Sequence, residues 1–455
     1  MTNSEKRLDY SNKVILAPMV RVGTLPMRLL ALEYGADIVY SEELVDWKFL
    51  KSIRRVNDVL GTVDYIDKSD GTIVFRTCDK EKDRVVLQMG TCDPERALKV
   101  AKMVENDVAG IDINMGCPKE FSVKGGMGAA LLCNPELATN ILSTLVSNVK
   151  IPITCKIRVF EDLNKTLELV KKFEATGISA IGVHGRTKVE RPQHPNRNHT
   201  IKAITEAVNI PVIANGGSRE IDWYTDIEKF RNMCGASSVM IARAAESNCS
   251  IFRKEGLKEL DSVIKDYLKI CVDYDNSPNS TKYCVQNMLK ELQETPRGKK
   301  FLECQTLEQI CSIWGLGEYC RQKQLEFQSK GILSRREVTP DMFDPKKKRR
   351  KTEEDDDVIK LKCAFIRVNY PTDTDLPKSK IIAYCGKNKL KTPVYKIINE
   401  DKLFRAICCF QDKKYSSSYW EKNKRFAEQG AALVCAVSLG LIEKEQLVKD
   451  GSILE

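Results

Sequence analysis

Eight short apolar, β-branched runs recur along the first 243 residues, each stopping at a glycine, a polar residue or a proline. They are VILAPM (14–19), DIVYSE (37–42), RVVLQMG (84–90), GIDINMG (110–116), ITCKIR (153–158), AIGVHGR (180–186), PVIANGG (211–217) and SVMIAR (238–243). Nearly continuous apolar runs suit strands covered on both faces. Between most of them lie amphipathic stretches of helical length. PERALKVAKMVEND (94–107) puts Ala97, Val100, Ala101 and Val104 on one face. LNKTLELVKKFEATG (163–177) repeats this with Leu167, Val170 and Phe173, then stops at Gly177. Strand and helix alternate through eight units, which predicts an α/β fold: a TIM (β/α)8 barrel over residues 1–245. The longer gap between the second and third strands contains TVDYIDKSDGTIVFRTC (62–78). Its Asp70-Gly71 turn predicts an inserted β-hairpin.

Residues 246–340 change character. Leu257, Leu260, Val263, Ile264, Leu268 and Cys271 fall at helical spacing, and further helical stretches follow. This predicts a small helical bundle after the barrel. No run approaches the ~20 apolar residues that span a bilayer. The N-terminus, MTNSEKRLDYSNK, reads as neither signal nor transit peptide. An intracellular, cytoplasmic protein is expected. The 17 cysteines are odd in number, scattered and without a CxxC pair, and there are only 3 histidines. Disulfide scaffolds, zinc sites and multi-histidine metal centres are therefore not expected.

The net charge of +10 is unevenly placed. PKKKRRK (345–351) carries six basic residues, and EEDDD (353–357) five acidic ones. Residues 358–455 hold 18 basic and 11 acidic residues, so a near-neutral body is joined to a basic tail. Opposed charge blocks cannot bury themselves, so 341–357 is read as a flexible linker. PKKKRRK also has the composition of a nuclear localisation signal, which makes nuclear entry a further expectation. The basic tail points to a polyanionic partner.

Barrel enzymes carry their chemistry at the C-terminal ends of the strands. There the sequence places Pro18 and Met19, Glu42 and Glu43, Gln88, Asn114 and Cys117, Lys156 and Arg158, His184 and Arg186, Asn215 to Gly217, and Ala242 with Arg243. Asn-Gly-Gly after the seventh strand and Ala-Arg after the eighth form a candidate phosphate site, with glycine amides and a guanidinium as donors. Lys156 and His184 suit an electron-rich heterocycle such as a flavin edge. Gln88 suits its pyrimidine side. Cys117 lies between Gly116 and Pro118 on the loop after the fourth strand. Lys124-Gly125-Gly126-Met127-Gly128 follows as a segment able to close over substrate. A thiol so placed can act as nucleophile or general acid.

LAPM, LQMG, DINMGCPK, KGGMGAALL, CKIR, VHGRT, VIANGGS and MIARA together resemble the flavin-dependent tRNA-dihydrouridine synthases, over about residues 1–330. The resemblance implies FMN, reduced by NADPH. It implies that Pro18, Met19, Val20, Glu43, Gln88, Lys156, His184, Asn215, Gly216, Gly217, Ala242 and Arg243 contact the cofactor. Cys117 would be the proton donor. Asn114, Lys124, Arg158 and Arg186 would meet the substrate. The tail (358–445) reads as helix, three strands and helix. KRFAEQGAA (424–432) resembles the second-helix signature of double-stranded-RNA-binding domains. That pairing of domains resembles the eukaryotic synthases of the second type, which reduce a D-loop uridine, position 20, of cytoplasmic tRNA. Lys422, Lys424 and Arg425 would contact phosphates. Glu428 stands where that family often has a basic residue, so Lys360, Lys362 and Arg367 are read as compensating contacts. A monomer is expected, since no coiled coil is visible. Two other readings stay open. One is an FMN-dependent reductase of a free pyrimidine or small enoate. The other is an inactive RNA-binding regulator, which predicts loss of Cys117, Lys156, His184 or Arg243, yet all four are present. A further reading extends the substrate to messenger RNA.

Overall fold

The computed structural model describes residues 8–68, 71–330, 357–370, 372–400, 403–421 and 423–453. They fall into two units, one within Met1–Tyr65 and Ile73–Leu316, the other within Ile66–Thr72 and Gly317–Glu455. The basic run 345–351 and Lys422 lie outside the described residues.

In the first unit eight parallel strands close on themselves: β1 (Val14–Leu16), β2 (Ile38–Tyr40), β3 (Val85–Gly90), β4 (Gly110–Met115), β5 (Ile153–Arg158), β6 (Ala180–His184), β7 (Val212–Asn215) and β8 (Ser238–Ile241). Neighbours follow chain order, and β1 pairs with β8 to complete the ring. All eight expected runs are strands. One buried cluster takes alternate residues from six of them: Ile15, Ala17, Ile38, Tyr40, Val86, Ala180, Ile213 and Met240, with Tyr10 from the N-terminal segment. This is the layered filling of a barrel interior. Following the same alternation toward the strand ends brings up polar residues, namely Gln88, Asp112, Asn114, Lys156, Arg158 and His184.

Helices cover the outside for the reason their patterns gave. Pro94–Val104 buries Ala97, Val100, Ala101 and Val104. Its N-cap Asp93 accepts from the Arg96 amide at 2.9 Å, a contribution of about 1 kcal/mol. Leu163–Glu174 is capped in the same way by Asp162. Between β2 and β3 the chain forms a three-stranded sheet, Ser52–Asn57, Thr62–Asp67 and Ile73–Cys78. The last two are the strands of the expected hairpin. The first was not anticipated, because SIRRVN is polar and largely exposed.

After β8 come helices Leu260–Asp273, Pro278–Leu289, Pro296–Glu303 and Leu307–Ile313. The first packs on Leu25–Glu33, the helix between β1 and β2. The second reaches the loop after β1, where the Arg21 guanidinium lies 4.5 Å over the Tyr283 ring.

The second unit orders its elements as helix Pro377–Asn388, strands Val394–Glu400, Leu403–Phe410 and Lys413–Ser417, and helix Lys424–Ser438. A further strand, Val358–Leu361, runs parallel to Lys413–Ser417 at the sheet edge. Ala431, Ala432 and Cys435 of the long helix are buried with Ile381, Cys408 and Phe410.

Candidate active site at the barrel mouth

Register sets the polar residues side by side. Gln88 is opposite Asp112, Asn114 opposite Lys156, and His184 opposite both Arg158 and Asn215. Asp112, which the sequence analysis did not single out, is 1% exposed and accepts from Thr154 Oγ1 at 2.7 Å and Gln88 Nε2 at 2.8 Å. Gln88 Oε1 accepts from Asn114 Nδ2 at 3.3 Å. Asn114 Oδ1 then accepts the backbone amides of Gly116 and Cys117, each at 3.0 Å. Burial pushes Asp112 up to about 6, opposed by its bonds to Gln88 and Thr154 and the charge of Lys156. Burial, then the charge of Arg158, pushes Lys156 down to about 8. The two groups attract, yet for each the loss of water is the larger effect.

The Cys117 loop is held from three sides. Asn114 caps the turn, Ala129 N donates to Cys117 O at 2.9 Å, and Arg158 Nε donates to Gly116 O at 3.0 Å. Gly128 has φ +59°, and a Cβ there would lie 2.5 Å from Ser122 Oγ and 2.7 Å from Cys117 O. No side chain fits at that position. Burial, then the charge of Glu43, pushes the Cys117 thiol up, so it is a protonated thiol at neutral pH. Glu43, expected at the cofactor, is itself pushed up by burial and lies close to Cys117, Ser122 and Asn114. Neither of its carboxyl oxygens has a hydrogen bond among the described residues, and nor does Ser122 Oγ.

On the opposite side, His184, Asn215, Gly216, Gly217, Ala242 and Arg243 line one cavity. Asn215 Nδ2 donates to Met240 O at 2.9 Å, which ties β7 to β8. Gly216 has φ +111°, and a Cβ there would collide with Asn196 and His184. The amides of Gly216, Gly217, Arg243 and Ala244 donate no hydrogen bond among the described residues. Bare glycine amides beside a guanidinium are the donor set a phosphate group requires. Burial, reinforced by Lys156, Arg158, Arg186 and Arg243, pushes His184 well down, so its imidazole is neutral.

Arg186, expected among substrate contacts, is 2% exposed. Its Nε donates to His194 O at 2.8 Å and its Nη1 to Gly216 O at 2.7 Å, and Nη1 lies 3.1 Å from His184 Nε2. It braces the end of β6 at His184 and the loop at Gly216 from inside. Arg158 bonds to the carbonyls of Gly116, Thr187 and Glu190. Lys124 is exposed and pairs with Glu120 at 2.6 Å. Pro18, Met19 and Val20 form the turn after β1, in which Gly23 N donates to Met19 O at 2.8 Å.

In the second unit Lys360, Lys362, Lys424 and Arg425 are exposed. Arg367 is engaged by the Tyr370 carbonyl and by Asp373 at 3.1 Å. Phe365 stacks on Tyr370 and meets Phe426 edge-on, both at 5.3 Å. That packing fixes the segment after strand Val358–Leu361 against the start of helix Lys424–Ser438, beside Lys424 and Arg425. Glu428 pairs with Lys378 at 2.5 Å, which ties the two helices together.

Among the described residues no cluster of three or more metal-ligating side chains occurs, and no helix is long and apolar enough to cross a membrane.

Comparison with known proteins bears on this site. Residues 15–312 match the family model "Dihydrouridine synthase (Dus)", and residues 377–436 match "Double-stranded RNA binding motif". The Schizosaccharomyces pombe tRNA-dihydrouridine(20) synthase [NAD(P)+] is 42% identical over 62% of this chain and 60% of its own length. The Saccharomyces cerevisiae tRNA-dihydrouridine(20) synthase [NAD(P)+] is 38% identical over 62% of this chain and 78% of its own. A solved dsRBD domain of tRNA-dihydrouridine(20) synthase is 41% identical over 19% of this chain and 93% of that one, with a TM-score of 0.18.

Proposed function

Because the chain belongs to the dihydrouridine synthase family, we propose that it reduces the C5–C6 double bond of a uridine in tRNA at the expense of NADPH, with FMN as its resident cofactor. The relatives named for position 20 are 42% and 38% identical, whereas a human one named for positions 20a and 20b is 34% identical. Position 20, in the D-loop of cytoplasmic tRNA, is therefore the proposed target.

The donor set at the mouth suits FMN. Its phosphate would meet the free amides of Gly216 and Gly217 together with Ala242 and Arg243. Its ring would meet Lys156, His184 and Gln88, with Asn215, Glu43 and the Pro18–Met19–Val20 turn along its edge. Bound and reduced, FMN would supply a hydride to uridine C6.

The chain's own residues do the rest. The uracil 4-carbonyl is conjugated with the 5,6-double bond, so negative charge develops toward C5 and an acid is needed there. The observation that carries the reading is Cys117, a thiol kept protonated by burial and held by Asn114 on a fixed turn beside these donors. Its Sγ gives the proton to C5. Lys156, half-buried and pushed down to about 8, is still mostly charged at pH 7 and stabilises negative charge at the ring edge. Arg158 and Asn114 border the Cys117 loop where uracil would be oriented, and Lys124 lies on the helix that follows it. Arg186, buried, acts by holding His184. To reach this site the uridine must leave its stack, at a cost of about a few kcal/mol. Binding of folded RNA by the second unit, through Lys360, Lys362, Lys424 and Arg425, helps to offset that cost.

The test is direct. Full-length protein, NADPH and unmodified tRNA are incubated, and dihydrouridine is measured by mass spectrometry of digested RNA. Product lost in Cys117→Ala supports the reading. No product from wild-type protein carrying its flavin overturns it.

A further inference from the structure

The amides in the chain of hydrogen bonds under Cys117 have two ends each, and something must decide which way they point. Gln88 could turn its oxygen or its nitrogen toward the barrel axis, and Asn114 likewise. A carboxylate offers acceptors only. Asp112 therefore draws the Gln88 nitrogen, at 2.8 Å, which leaves Gln88 Oε1 facing Asn114. That oxygen draws the Asn114 nitrogen at 3.3 Å, so Asn114 Oδ1 must face the turn. There it accepts the amides of Gly116 and Cys117.

We propose that Asp112 is a positioning residue for the reaction: its carboxylate orients Gln88, Gln88 orients Asn114, and Asn114 fixes the backbone turn that presents the Cys117 thiol. Asp112 touches neither substrate nor cofactor and acts only through these amides. The catalytic consequence rests on the proposed role of Cys117, but the mechanical one does not.

The site bears this out in its detail. Asp112 is enclosed by the barrel and is no surface carboxylate. Lys156 and Cys155 on β5, Tyr40 on β2 and Tyr10 of the N-terminal segment are the titratable groups that face it. Thr154 Oγ1, at 2.7 Å, supplies its other hydrogen bond. Burying a carboxylate here is costly, and a hydrophobic residue would fill the layer at less expense. What the carboxylate adds is a fixed polarity for the amides above it. When Asp112 takes up a proton it becomes a donor as well. Gln88 can then turn its oxygen downward, Asn114 can follow, and the amides of Gly116 and Cys117 lose their acceptor. Because burial pushes Asp112 up to about 6, this reversal falls in a mildly acidic range.

The test is hydrogen exchange of the full-length chain, followed by mass spectrometry on peptides covering residues 114–120. Asp112→Asn keeps the shape of the side chain but can donate or accept. At pH 7 it should raise exchange at Gly116 and Cys117 at least tenfold, while peptides from helix Pro135–Asn148 keep their rates. Unchanged exchange in folded Asp112→Asn would overturn the proposal, whatever happens to activity. Wild-type protein gives a second measurement should that variant fail to fold. Corrected for intrinsic rates, protection of the two amides should fall as pH drops from 7 to 5, and Thr154→Val should move that fall to higher pH. Flat protection over this range would likewise overturn it. If exchange behaves as stated while the wild-type chain makes no dihydrouridine, the positioning role stands and the functional reading fails.

Discussion

The backbone amide of Cys117 donates to Oδ1 of Asn114 at 3.0 Å, so the acid that the proposed reaction needs is placed by a side chain three residues before it. The bond converts a loop position into one referenced to strand β4. Asn114→Ala leaves the Gly116 and Cys117 amides without that acceptor. A misplacement of about 1 Å at a reacting group costs about 100-fold. Single-turnover tRNA reduction by Asn114→Ala should slow by that order, with flavin content retained.

Gly128 is the second support. Its left-handed backbone and the 2.7 Å approach to Cys117 O exclude any side chain. Gly128→Ala should destabilise the protein by about 1–3 kcal/mol and reduce activity more than stability alone explains. Thermal melts and single-turnover rates on the same preparation check both. A wild-type rate would show that the loop does not depend on this contact.

Burial and Glu43 hold the Cys117 thiol up. Alkylation of Cys117 by iodoacetamide, read from its own peptide, should therefore be slow at pH 7 and rise only above the ordinary thiol range. Glu43→Gln removes a nearby charge and should shift that rise to lower pH. A rise centred near pH 7 in wild-type protein would show a thiolate, which is unsuited to proton donation.

His184 gives a pH dependence of stability. Its folded pKa is depressed, so the unfolded chain binds a proton that the folded chain refuses once pH falls below about 6.5. The folded state loses up to about 1.4 kcal/mol per pH unit below that point, and nothing above it. Denaturant titrations at pH 7 and pH 5 should show a larger loss for wild-type protein than for His184→Gln.

For the tail, replacing Lys360 and Lys362 by glutamine should weaken tRNA binding regardless of sequence. It should also lower the slope of log affinity against log salt by about 1 to 2. Arg367→Gln should do less, because Asp373 and the Tyr370 carbonyl already engage that guanidinium. Affinity unchanged in the double variant would remove these lysines from the interface.

The barrel was legible because each strand is covered on both faces and so reads as an apolar run, from Val14–Leu16 to Ser238–Ile241. The polar ring at the mouth was legible as a placement, because Gln88, Lys156, His184 and Asn215 fall toward the ends of neighbouring strands. What escaped were groups whose partners are remote in sequence. Asp112 reads as one of two polar residues in an otherwise apolar strand, and its role depends on Gln88, 24 positions away. Arg28 and Glu81 are 2% and 0% exposed at 2.6 Å, yet in sequence they look like surface charges. Arg186, placed by the sequence at a strand end and expected at the substrate, is turned inward by the carbonyls of His194 and Gly216, both remote from a local pattern. Strand Ser52–Asn57 escaped because an exposed edge needs no apolar signal. Arg21, which ties the turn after β1 to the helices beyond β8, carries no local pattern.

A site that passes a hydride and a proton to a uridine within folded tRNA must have its reduced flavin reoxidised by tRNA. Anaerobic single turnover reads this step. Purified full-length protein carrying its flavin is photoreduced, then mixed with unmodified tRNA or with free uridine, and flavin reoxidation is followed by absorbance. Rapid reoxidation is expected with tRNA, matched by dihydrouridine formed, and none with free uridine. Reoxidation by free uridine or another free pyrimidine, with tRNA inert, would contradict it.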